Sequence, residues 1–180
     1  AFSGHVTDVA LSTGWFASLF HMMSHAFFEG LGFLLAGWII HSLHTRDMRL
    51  MGGLKKVMPI TFVLAVIMIV TTSGLPPFAS FFSKGLIIAS VMETGNLVQT
   101  VLIFVTAALT FAYCVRMFSL VFMGRASEHM LGQRVHEAPW SMVVPAGVLG
   151  VLCVVWGVLQ PVVAQFMHIE LEHTLLSAFT

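Results

Sequence analysis

The sequence predicts an all-α integral membrane protein with about four transmembrane helices, one of them discontinuous. Three observations predict it: an apolar composition, runs of spanning length, and the placement of the basic residues. Of the 180 residues, 58% are hydrophobic and only 9% are charged. Soluble domains carry about a quarter charged residues. A water-soluble chain of this size could not bury so much apolar surface, so the bilayer is the expected solvent. The formal net charge is +0, which gives no basis for a nucleic-acid partner.

The elements follow in order. A helix needs about 20 apolar residues to cross the hydrocarbon. Residues 14–42, 97–123 and 138–162 each supply such a run. Residues 58–91 form a longer stretch, roughly 50 Å as one straight helix, and contain SGLPPF, Ser73 to Phe78. Pro76 and Pro77 remove two backbone donors, and Gly74 loosens the chain before them. This stretch reads as a half-helix, a break and a second half-helix; the alternative is two separate passes.

Charge placement separates these alternatives. Arg46, Arg49, Lys55 and Lys56 follow the first span, and Arg125 and Arg134 follow the third. With one broken span, both basic loops share a face. The first 13 residues, the 92–96 loop and the tail after 162 share the other face, with Asp8, Glu93, Glu170 and Glu172 and no Lys or Arg. That distribution satisfies the positive-inside rule, whereas two passes would split the basic loops across the membrane. Residues 1–180 therefore read as a single membrane domain with both ends on the outer face. Trp15, Trp38, Trp140 and Trp156 lie toward span ends, as an interfacial belt requires. Cys114 and Cys153 sit in apolar runs without CxxC spacing, as small buried hydrophobes. The opening AFSGHVTD has no basic n-region and does not look like a signal peptide.

The ionisable groups inside the spans carry the chemistry. FHMMSHAFFEG, residues 20–30, puts His21, His25 and Glu29 four apart. Positions i, i+4 and i+8 drift only about 40° per step, so these side chains line one helix face. Charge at mid-membrane persists when it faces a wet cavity or a partner, and it is functional by default. Neighbouring imidazoles can pass a proton near neutral pH, and Glu29 can join them. Two other readings stay open: hydrogen-bonding glue between helices, and a metal site through His-x3-His with Glu29 as third ligand. HExxH is absent and the cysteines are on other spans, which weighs against metal.

Lys84 stands six residues into the second half-helix, too deep to snorkel easily. Desolvation makes such a lysine a switchable proton carrier. Broken-helix ends are tolerated only where they line a cavity or a protein interior. The competing reading is a kink whose lysine pairs with Glu29 for structure alone. Arg116, about two turns from its span's end, serves as anchor or accessory group. His41 and His44, beside a basic loop, are proton-entry groups or interfacial residues. No catalytic residue and no cofactor site is expected in the chain: it has no cysteine cluster, no convincing axial histidine pair and no Gly-rich phosphate loop.

These residues also carry a family resemblance. FHMMSHAFFEGLGFLLAGWIIHSLHTRDMRLMGGLKKVMPIT (20–61) resembles the antiporter-like membrane subunits of respiratory complex I, the NADH-quinone oxidoreductases. The similarity is greatest to the large distal member of that set, the L type. SGLPPFASFFSK (73–84) resembles that family's broken helix with its central lysine. HEAPWSMVVPAGVLG (136–150) is similar to the start of the following helix. Mrp-type cation/proton antiporters and membrane-bound hydrogenases share these motifs. The resemblance implies a proton-translocating subunit, or a split part of one, in a redox-driven pump, with His21, His25 and Lys84 on a hydrophilic relay. The alternatives are a subunit of an Mrp-type antiporter or hydrogenase, or a non-pumping structural piece. It also implies an energy-transducing membrane: a bacterial or archaeal plasma membrane, or the mitochondrial inner membrane.

Two departures stand out. Glu29 occupies a position where relatives usually have Lys, which lets it pair with Lys84 or shift the relay's resting protonation. FSKGL lacks the acidic pair that often follows the lysine. The chain matches only the later part of the family's second inverted repeat. The expectation is a fragment, a split-gene product or a small subunit, with partner membrane subunits supplying the missing helices. Flavin, iron–sulfur and quinone are expected only in partner subunits, and lipid around the whole.

Overall fold

The computed structural model describes residues 2–132 and 135–166, with side-chain detail over 14–132, 135–163 and 165. Arg134, Glu170 and Glu172 lie outside the described residues. Among the described residues seven α-helices follow in order: α1 (Phe2–Leu43), α2 (Pro59–Ser73), α3 (Ala79–Glu93), α4 (Leu97–Phe122), α5 (Glu128–Leu131), α6 (Trp140–Val158) and α7 (Gln160–Phe166). The protein is an all-α, multi-pass integral membrane protein. Helix α4, helix α6 and residues Gly14–Leu43 of α1 are each long and apolar enough to cross a membrane. The first span falls where expected, at Gly14–Leu43, and helix α1 extends before it to Phe2, so the segment preceding the span is helical too.

Helices α2 and α3 have 15 residues each, about 22 Å apiece and too short to span alone. Their contacts show that they form one interrupted pass. Gly32 of α1 faces Met68, and Gly14 faces Ser90; between them His21 meets Ser83. Moving toward the start of α1 therefore moves steadily forward through α2 and α3, so the two half-helices stack end to end, antiparallel to α1. Helix α4 returns antiparallel to them, with Phe62 against Phe118 and Phe122. Helix α6 runs parallel to the broken pass, with Gly150 against Leu64 and Gly157 against Pro77–Ala79.

This topology puts both basic loops at one end, where they bind each other. Gly53 N–H donates to the Met123 carbonyl at 3.0 Å. His129 Nε2 meets the Leu43 carbonyl at 2.9 Å, and the Ser127 hydroxyl donates to the Leu50 carbonyl. Gly52, at φ +113°, is required here: a Cβ would sit 2.5 Å from the Arg125 carbonyl oxygen. Glu137 ties the lead-in of α6 to the start of α2. Its carboxylate accepts from Ile60 N–H at 2.7 Å and from the Thr61 hydroxyl. Pro59 at the first turn costs nothing, because that position has no intrahelical acceptor.

Packing divides into two apolar clusters. One gathers Leu31, Trp38, Leu43, Leu54, Met58 and Phe122 toward the basic end. The other gathers Phe16, Phe20 and Leu86 toward the opposite end. Between them lies a layer of buried hydroxyls: Ser24, Thr71, Thr72, Ser80 and Ser83. Cys114 and Cys153 are buried as expected. The tryptophan belt is only half formed. Trp15 and Trp140 are exposed, but Trp38 is 6% exposed, and Trp156 stacks on Phe20 with ring centroids 5.4 Å apart. A ring near a span's end can still face a neighbouring helix, and span position alone does not reveal which way it points.

Candidate functional site

The hydroxyl layer coincides with the helix break, and the break builds the site. Helix α2 stops at Gly74, in the left-handed region at φ 76°. Leu75 N–H donates to the Val70 carbonyl and Gly74 N–H to the Thr71 carbonyl, the paired closure of a Schellman motif. That leaves the Thr72 carbonyl without a backbone donor, and Pro76 and Pro77 have no N–H to offer. In a bilayer an orphan carbonyl cannot turn to water. Lys84 fills the gap from the next half-helix, its Nζ donating to the Thr72 carbonyl at 2.5 Å. The cation also sits at the negative end of the α2 dipole. The lysine stem lies over Gly74, where an added Cβ would stand 3.3 Å from Lys84 Cδ.

One turn of α1 brings His21 to the same place. His21 Nδ1 and the Ser83 hydroxyl are hydrogen-bonded at 2.8 Å. His21 and Lys84 line a cleft of about 130 Å³, closed on its other side by Ile103, Thr106 and Thr110 of α4. A second cleft of about 190 Å³ lies nearer the basic end, lined by Glu29, Thr72, Tyr113, Cys114 and Met117 among others. Lys84 faces the first cleft and its acceptor Thr72 lines the second, so the ammonium–carbonyl bond stands at the boundary between them.

The predicted residues are therefore only partly gathered. His21 and Lys84 share a cleft. The His21 and His25 rings are 6.1 Å apart, within reach of a bridging water. His25 Nε2 lies 3.9 Å from Glu29 Oε1, with both side chains substantially exposed. Among the described residues this is the one contact between a carboxylate and a basic side chain within 4.0 Å. Glu29 thus does not pair directly with Lys84, which takes a carbonyl instead. His41 and His44 are a separate group at the basic end: their rings are 6.2 Å apart, and Trp38 lies between His41 and His136. Arg116 is exposed on α4 and is not among the residues that line either cleft. Gly74 and Pro76–Pro77 form the break as expected.

Several site residues escaped the sequence reading. Thr106, Thr110 and Tyr113 fall at i, i+4 and i+7 in an otherwise apolar run, a spacing that was available to find them. Ser83 is adjacent to Lys84 but points to α1. Thr72 acts through its backbone, which no residue type announces.

Comparison with known proteins agrees with this architecture. The model of the NADH:quinone oxidoreductase/Mrp antiporter, TM family matches residues 4–110, more than half of the chain. An Na(+)/H(+) antiporter subunit of Alkalihalophilus pseudofirmus is 36% identical over 158 residues, covering 82% of this chain and 20% of that protein. The NAD(P)H-quinone oxidoreductase chain 5 of Picosynechococcus sp. is 35% identical over 179 residues, covering 80% of this chain and 27% of its own length. A chain of the membrane-bound sulfane sulfur reductase, an archaeal respiratory membrane complex, superposes with a TM-score of 0.73 at 34% identity, covering 79% of this chain and 23% of that one. The chain thus spans about a fifth to a quarter of the length of these relatives. On sequence and fold together, it belongs to the NADH:quinone oxidoreductase/Mrp antiporter transmembrane family.

Proposed function

We propose that this chain is the proton-translocating part of an antiporter-like membrane subunit, with Lys84 as the switchable carrier at its centre. The observation that carries this is the Lys84–Thr72 bond at the boundary of two clefts. A protonated Lys84 holds the carbonyl. When it gives up its proton, the charge-assisted bond to the carbonyl becomes a weaker neutral one, and the side chain turns more readily within the cleft it shares with His21. His25 and Glu29 extend the titratable path from His21 along α1. The hydroxyls of Thr106, Thr110 and Tyr113 offer water-binding positions along α4 on both sides of the lysine.

The proposed setting is a multisubunit membrane complex in an energy-transducing membrane. Neighbouring membrane subunits, or the rest of a longer polypeptide, cover the clefts. Similarity to a quinone oxidoreductase chain and a respiratory reductase supports redox drive, with flavin, iron–sulfur and quinone held by partners. Similarity to an Na(+)/H(+) antiporter supports a second reading, sodium/proton exchange without an electron donor. Proton movement in sealed native membrane vesicles, followed with a pH-responsive dye, tests both. Lys84→Ala is expected to abolish it while leaving the protein inserted at normal abundance. Unchanged proton movement in that variant would remove Lys84 from the mechanism. Dye response to added sodium without a donor selects exchange; response only to a donor selects redox drive.

A further inference from the structure

Ser83 is placed where it determines how His21 can carry a proton. Several buried hydroxyls of this membrane domain share a habit. Ser24 donates to the Phe20 carbonyl at 2.7 Å, Thr71 to Ile67 at 2.7 Å, Thr72 to Met68 at 2.8 Å, and Ser90 to Ile87 at 2.9 Å. Each returns its proton to its own helix, where no water competes. Ser83 differs: the Ser80 carbonyl is a distant 3.4 Å away, beyond the usual O–H···O length, and the nearer polar partner of its hydroxyl is His21 Nδ1 at 2.8 Å. Ser83 is 0% exposed, so it has no solvent alternative. The 2.8 Å contact fits either direction of donation; a Ser83 proton turned toward Ser80 leaves the Ser83 oxygen to accept from His21 Nδ1–H.

In a neutral imidazole, one nitrogen donates and the other accepts. Resting on the relay function above, we propose that Ser83 is a positioning residue that holds the His21 proton on Nδ1 and so leaves Nε2 as the nitrogen that takes up and releases the transported proton. A proton arriving at Nε2 makes the imidazolium without disturbing the Nδ1–H bond to Ser83. Its departure from Nε2 restores the neutral ring in the same tautomer and orientation. No ring flip is needed between turnovers. The device also explains why a polar residue is buried beside the lysine but turned away from it: Ser83 and Ser90 are two turns apart on the face of α3 that meets His21 and Gly14.

The test uses the full-length protein in its native complex, in sealed vesicles, with initial proton-transfer rates from dye fluorescence and abundance from immunoblots. Ser83→Ala is expected to slow transfer about tenfold or more, the scale seen when the hydrogen-bond partner that orients a metal-bound histidine is lost. Ser83→Thr, which keeps the hydroxyl, is expected to restore most of the rate. Ser83→Cys, a weaker acceptor of nearly the same size, is expected to fall between them and carries the comparison if the alanine variant fails to assemble. Wild-type rates in Ser83→Ala and Ser83→Cys, with Lys84→Ala inactive, would overturn the role of Ser83 and leave the proposed function standing. Threonine no better than alanine at equal abundance would also overturn it, because packing and not the hydroxyl would then matter. An active Lys84→Ala protein would instead overturn the relay itself.

Discussion

Gly157 is the most demanding contact of the broken helix, although it carries no chemistry. It lies on α6, directly behind the break. A Cβ there would stand 2.6 Å from Ala79 N and from the Pro77 carbonyl oxygen, and 2.8 Å from the Phe78 carbonyl carbon. All three atoms are backbone, so no side chain can rotate away. Restoring ordinary contact means parting α6 from the break by about 0.8 Å, in an interior with few voids to absorb the shift. Overpacking of this kind costs about 1–3 kcal/mol. Gly147, on the same helix, has nothing within 4 Å of its added Cβ, so Gly147→Ala is the matched control. Both variants share alanine's helix preference, up to ~1 kcal/mol, and the difference between them isolates the contact. The displacement also reaches the site, since α3 starts at Ala79 and carries Ser83 and Lys84. A misplacement near 1 Å can cost about a hundredfold in rate. The assay is heat-step retention of the detergent-solubilised complex, alongside proton transfer in vesicles. Gly157→Ala is expected to fall below Gly147→Ala in both. Equal stability and equal rates would refute the reasoning, because α6 would then be free to yield.

Two further outcomes follow from the same packing. Glu137→Ala strips the acceptor from Ile60 N–H, Thr61 N–H and the Thr61 hydroxyl and removes an anion from the start of α2. It is expected to destabilise by about 1–3 kcal/mol, read as a lower melting temperature of the solubilised complex, with Glu137→Gln recovering part of the loss. Thr110→Val keeps the shape of α4 but removes a hydroxyl from the cleft shared by His21 and Lys84. It is expected to slow proton transfer several-fold at normal abundance; an unchanged rate would exclude a water path along α4.

The site was legible in the sequence wherever a charge had no cheap place to go. Lys84 and the His21–His25–Glu29 stripe stand out because ionisable groups are costly in hydrocarbon. SGLPPF stands out because two prolines cannot continue a helix ladder. What the sequence reading missed are hydroxyls and backbone groups. Serine and threonine are unremarkable in membrane helices, where they bond to their own turn, so Ser83 gave no sign that it would reach across to His21. The Thr72 carbonyl became a partner only because the capping geometry at Gly74 left it over.

Hydropathy, break and charge asymmetry were thus enough to determine a four-span topology with the second pass interrupted, since these follow from the energetics of each segment against lipid and water. Which groups meet depended on the register of α1 against α3 and on the close approach of α6 to the break. Those are set by the joint packing of distant segments. They put Lys84 on a carbonyl rather than on Glu29, separated the His41–His44 group from the cleft of His21 and Lys84, and turned Trp38 and Trp156 inward. No single segment holds the information for such a pairing, because the favourable contact exists only once the helices are side by side.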